Sequence, residues 1–101
     1  MTKITAAGFI IGDSAAIWGA GATEEAAWAD LRDQMRVARI PHESEIDAED
    51  TYAPKAWSED RFAVMPATAA LLAAVEARGG LIAYAVVDDV ACTESEEDEA
   101  A

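Results

Sequence analysis

The chain has 101 residues, 52 % of them hydrophobic, and a formal net charge of −13 from 20 acidic against 7 basic side chains. That length suits one domain, and that apolar fraction sets aside a wholly disordered chain. A surface this acidic repels phosphate, which argues against direct nucleic-acid binding and against an anionic membrane, and leaves basic proteins as the partners it attracts.

In chain order, residues 3–11 read as a first strand carrying Ile4, Phe9, Ile10 and Ile11. Gly12-Asp13 suits a tight hairpin turn with glycine at its first central position. Residues 15–19 return as a second strand with Ile17 and Trp18, closed by Gly19-Ala20-Gly21. Thr23 then caps a helix whose first turn carries Glu24 and Glu25, and which runs to about Arg39, where Pro41 stops it. Its apolar stripe is Ala27, Leu31, Met35 and Ala38, with Trp28 alongside. The opposite side carries Arg32, Asp33, Arg36 and Arg39.

Residues 41–60 form an acidic connector. Ser44 with Asp47 suits the cap of one short helix, and an extended loop fits equally. Residues 61–65 read as a third strand with Phe62 and Val64 on one face. Thr68 caps a second helix over 69–78, with Leu71, Leu72 and Val75 as its buried stripe, and Gly79-Gly80 ends it. Residues 81–87 and 90–93 read as two strands around an Asp88-Asp89 turn. From Glu94 the chain reads as an acidic tail without apolar periodicity, dispensable for folding. The expected fold is α+β, in the order ββα-βαββ, with one mostly antiparallel sheet and two helices on one face. The domain spans 1–93 and the tail 94–101.

No catalytic constellation stands out. His42 is the one histidine and Cys92 the one cysteine. The histidine sits in a polar loop and the cysteine on a strand, where a small buried side chain is its usual role. One of each is too few for a zinc site. The acids at 47–50 lack the central glycine and distal glutamate of a calcium loop. Gly19-Ala20-Gly21 lacks the third glycine of a dinucleotide loop, and Glu24 and Glu25 occupy the helix start that a phosphate needs. No metal, cofactor or catalytic residue is expected. A single cysteine fits a reducing compartment, residues 1–11 lack a signal-peptide pattern, and no apolar run reaches membrane-spanning length, so a cytoplasmic location is expected.

Two resemblances bear on function. The run from Trp18 through Gly21-Ala22-Thr23-Glu24-Glu25-Ala26 resembles the N-terminal half of HicB-like antitoxins, over about residues 4–38. In that family the segment belongs to a partial RNase H-like ββα unit that covers a toxin's active site. The basic DNA-binding segment such proteins usually add has no counterpart here. In size and charge the chain also resembles small acidic inhibitors of phages and mobile elements, including anti-CRISPR and antirestriction proteins. Those resemblances imply a non-enzymatic inhibitor of a basic, nucleic-acid-handling protein such as a CRISPR effector complex, with an antitoxin as the alternative.

The acids that would meet such a partner are Glu43, Glu45, Asp47, Glu49 and Asp50. In an extended segment the first four, at alternate positions, project on one side roughly 7 Å apart. They would then echo the repeated charge of a nucleic-acid backbone. A solvated acidic loop is the plainer alternative, and acidity kept only for solubility is another. The other candidate surface is the stripe Arg32, Arg36 and Arg39, which would meet an acidic patch instead.

Overall fold

A computed structural model describes residues 4–46 and 56–100. Their order is β1 (Gly8–Gly12), β2 (Ile17–Gly21), α1 (Glu24–Val37), β3 (Ala63–Ala67), α2 (Ala69–Arg78), β4 (Ala85–Val87), β5 (Val90–Cys92) and α3 (Glu94–Ala100). Two single 3-10 turns, Glu43–Glu45 and Glu59–Arg61, lie between α1 and β3. The five strands form one sheet in the order β2-β1-β3-β5-β4. Pairings β1–β2 and β4–β5 are the expected antiparallel hairpins and β1–β3 is also antiparallel, but β3 and β5 run parallel, so the sheet is mixed. Between the parallel strands β3 and β5 run α2, residues 79–84 and β4, a connection far longer than a hairpin turn.

The two main helices lie on opposite faces of the sheet, not on one. Ile11 packs with Ala27, Leu31 and Met35 of α1, whereas its neighbour Ile10 packs with Leu71 of α2. Adjacent strand residues point to opposite faces, so the sheet separates two small cores. Phe62 and Val64 both join the α1 core, on one face as expected, while Met65 and Ala67 join the α2 core.

Local chemistry accounts for most boundaries. The Thr23 hydroxyl accepts from the Ala26 N–H, and the Thr68 hydroxyl accepts from the Leu71 N–H at 3.2 Å. Gly79 ends α2 with φ at 85°. Helix α1 ends two residues before Arg39, which adopts φ 61°. There the Ile40 N–H bonds the Met35 carbonyl and the Arg39 N–H bonds the Arg36 carbonyl. That is the Schellman arrangement, with Arg39 in the left-handed position usually held by glycine.

Several boundaries differ from the expected ones: β1 begins at Gly8, not at residue 3, β3 spans 63–67, not 61–65, and β4 begins at Ala85, not at residue 81. The β1–β2 connection is not a two-residue turn, because Asp13 folds it into a longer one. Its carboxylate accepts from the N–H groups of Ala15 and Ala16, both at 2.9 Å. Gly19-Ala20-Gly21 continues β2 instead of ending it. A Cβ at Gly19 would lie 2.4 Å from the Ala27 carbonyl oxygen and 2.9 Å from the Leu31 Cβ, so the glycine lets α1 seat directly on the strand. The segment after Thr93 is helical, not an irregular tail. Thr93 and Glu96 form a reciprocal capping box, each accepting from the other's N–H at 3.1 Å. The Thr68 hydroxyl also donates to Glu96, which ties α3 to the start of α2.

Candidate functional site

The sequence-predicted binding residues fall into two groups around residues 41–46 and 57–59. The main chain there closes on itself: the Trp57 N–H bonds the Pro41 carbonyl at 3.0 Å and the Glu43 N–H bonds the Trp57 carbonyl at 2.9 Å. Trp57 is 7 % exposed and packs in the α1 core beside Phe62. The His42 ring stands edge-on to its indole, 4.6 Å between centroids. This clip fixes both ends of the acidic connector to the α1 core.

The clip also sets the conformation of the first two candidate acids. His42 Nδ1 accepts from the Ser44 N–H at 3.1 Å, so the histidine ring, not Ser44, caps the 3-10 turn. Glu43 and Glu45 are exposed but lie within that turn. The one-sided extended alternation proposed for 43–49 therefore does not hold for them. Asp47, Glu49 and Asp50 lie outside the described residues.

The second group is brought together. Arg32, Arg36 and Arg39 line a hollow of about 650 Å³ with His42, Trp57 and Glu59. Glu45 joins the lining, so carboxylates stand among the guanidiniums. Arg36 also lies 3.7 Å from Asp33, an exposed pair of little energetic consequence. Guanidinium forks match carboxylate and phosphate oxygens, so a hollow lined by three arginines suits an anionic group. Sequence reasoning missed His42, Trp57 and Glu59 as members of this group.

His42 links Ser44 to Glu59. Its Nε2 lies 2.9 Å from a Glu59 oxygen and its Nδ1 lies 2.7 Å from the Ser44 hydroxyl. The histidine hydrogen bond is the main reason that the Glu59 carboxyl sits below its ordinary range, with a smaller contribution from Arg32. Serine, histidine and carboxylate stand here in the order of a hydrolase triad. Nδ1 faces both the Ser44 amide N–H at 3.1 Å and the Ser44 hydroxyl at 2.7 Å, so the ring braces the turn. A protonated Nε2 donating to Glu59 completes that brace.

Elsewhere, burial pushes the Asp13 carboxyl up, but bonds from the Ala15 and Ala16 N–H groups and the Trp18 indole outweigh it, and the net shift is downward. Cys92 is fully buried, and burial together with Glu96 and Glu97 raises its thiol pKa, away from the thiolate a nucleophile needs. Among the described residues no three His, Cys, Asp or Glu side chains gather as metal ligands, and no helix is long and apolar enough to cross a membrane. Comparison with known proteins finds no matching family model, no similar curated protein and no similar solved structure. The functional reading therefore rests on the chain's own residues.

Proposed function

We propose that the chain is a non-catalytic inhibitor or regulator that binds a basic, nucleic-acid-handling protein in the cytoplasm, a CRISPR effector complex being one such target. The observation that carries this reading is a net charge of −13 displayed partly on ordered, exposed elements. Five acids fall within residues 94–99, which form α3, and Asp88 and Asp89 form the exposed tip of the β4–β5 hairpin. Acids held on a folded scaffold present a fixed field to a basic groove, and steer association at low salt.

Charge reversal tests the reading. Glu94, Glu97, Asp98 and Glu99 changed together to Lys spare Glu96, which holds the capping box. A second variant reverses Glu43, Glu45, Asp47 and Glu49. Capture from the native host, read by mass spectrometry, is expected to enrich a basic nucleic-acid-handling protein with wild type, less at high salt, and to lose it with one or both variants while circular dichroism is unchanged. Capture that ignores salt and both reversals, but fails when Arg32, Arg36 and Arg39 become Ala, moves the interface to the arginine hollow and ends the mimic reading.

The second reading is an antitoxin of the HicB-like kind that covers a toxin's active site. It is favoured by an apolar stretch beside β2, where Leu72 and Val75 are half-buried and Leu81 is 85 % exposed. It predicts an interface with weak salt dependence.

A further inference from the structure

A hollow of about 800 Å³ runs along β2. Strand β2 is an edge of the sheet, and residues 16–22 form the floor of the hollow. Because α1 and α2 lie on opposite faces, each supplies one wall. The α1 wall is polar, with Asp30 and Gln34; the α2 wall is apolar, with Leu72 and Val75, and ends at Glu76. Among the described residues no basic side chain lines the hollow.

The edge is held in a particular way. Ile10 stands opposite Ala20 across the β1–β2 ladder, yet the Ala20 N–H donates to a carboxylate oxygen of Asp30 at 3.0 Å. That N–H therefore points away from β1, toward the hollow, as both backbone groups of a non-hydrogen-bonded pair do. Asp30 occupies the position an adjoining strand's carbonyl would take, which protects the edge from unselective pairing. At the far end the Ile17 N–H is closed off by the Gly80 carbonyl at 2.8 Å. Among the described residues, 18–22 remain as the stretch open to pairing.

We propose that this edge docks an extended segment of a basic partner as a sixth strand, with apolar and Lys or Arg residues in alternation. A strand's side chains point alternately to the two faces, so one set would lie on Leu72 and Val75 and the other beside Asp30 and Gln34. The incoming carbonyl takes the Ala20 N–H, and the displaced Asp30 carboxylate pairs with an incoming ammonium or guanidinium. Charge selects the occupant: a chain of net charge −13, with Asp30 and Glu76 as the charged groups of the hollow among the described residues, repels a second copy of itself and any acidic segment. The inference rests on the proposed binding of a basic partner, and it names where that partner would be held.

Synthetic peptides decide it without the native partner. The probe is a peptide of about eight residues alternating valine and lysine, a usual strand length. Titrated into the labelled full chain, it is expected to shift the backbone amides of residues 18–22 and of Asp30, Leu72 and Val75. Three controls are expected to bind at least about tenfold more weakly: the same residues in two blocks, valine alternating with glutamate, and the parent with proline at alternate positions to remove its N–H donors. Asp30→Asn keeps an acceptor for the Ala20 N–H, so the fold is retained. Combined with Glu76→Gln it is expected to weaken the lysine peptide about tenfold. Equal binding by the block or proline peptide, shifts confined to other surfaces, or no binding at all would overturn the inference. Should the partner be captured in a salt-sensitive way that excess peptide does not compete, the docking mode fails and the functional reading stands. Peptide binding at β2 with no basic protein captured from the host would have the opposite meaning.

Discussion

Arg39, Asp88 and Asp89 are the described non-glycine residues with positive φ, at 61°, 52° and 64°. Left-handed backbone costs a residue with a Cβ about 1 kcal/mol, less for Asp, whose side chain can bond locally. Arg39 accepts that cost to complete the α1 cap. Asp88 and Asp89 accept it in a two-residue hairpin of the type that favours Asp-Gly. Arg39→Gly and Asp89→Gly are therefore expected to raise stability by about 0.5–1 kcal/mol each, read as a higher Tm, whereas Arg39→Ala brings no such gain. A fall in Tm for Arg39→Gly would mean that the guanidinium in the hollow contributes more than the backbone term. Gly19 has the opposite sign. A methyl group there meets the Ala27 backbone oxygen, so Gly19→Ala is expected to cost about 1–3 kcal/mol by pushing α1 off the sheet. A chemical-denaturation midpoint equal to wild type would show that α1 can shift freely.

The elements that the sequence made legible are those set by neighbours in the chain. Thr23 and Thr68 mark helix starts and Gly79 a helix end because a cap needs only its own first or last turn. The placing of α1 and α2 on opposite faces was hidden by counting strands and helices, although Phe9-Ile10-Ile11 is a continuous apolar run, the pattern of a strand covered on both sides. The His42, Trp57 and Glu59 group was not legible: His42 lies 15 and 17 positions before the other two and meets them only through tertiary packing. Arg32 and Arg36 were legible from helical spacing, whereas Arg39 joins them from the cap beyond the helix end. Helix α3 carried a local signal, Thr93 followed by Glu96 three residues later, which the surrounding charge obscured. Its capping box makes Glu96 consequential. Glu96→Ala removes the acceptor for the Thr93 N–H, the Thr93 hydroxyl and the Thr68 hydroxyl, and Thr68 is only 3 % exposed. A cost of about 1–2 kcal/mol is expected, with loss of helical signal from 94–100. Glu97→Ala, at an exposed position, is expected to change little. Equal effects of the two would mean that α3 is not held by its cap.

At the scale of the whole molecule, charge opposes compaction. With 20 acids against 7 bases, like charges are brought closer on folding than in the unfolded chain, and the excess repulsion falls on the native state. Salt weakens it, since the screening length shortens from about 30 Å at 10 mM to about 3 Å at 1 M. The Tm at pH 7 is therefore expected to rise by several degrees over that range of sodium chloride. Acid acts through two opposing routes. Lowering pH toward the pI of about 4.1 removes net charge and relieves repulsion. Asp13 and Glu59 act the other way, because their carboxyls are depressed in the folded state. A depressed carboxyl contributes stability that is present above its unfolded pKa, near 4, and is lost as pH falls through its folded value. Both groups are exposed, so their share is modest. Stability at low salt is thus expected to climb from pH 7 to about pH 5 and to fall below about pH 4. High salt should flatten the climb, which is repulsion, and leave the acid limb, which is hydrogen bonding, largely in place. A Tm that falls steadily from pH 7 downward at low salt would show that repulsion among these acids is already offset in the fold, and that the surface presented to a basic partner is less negative than the sequence count implies.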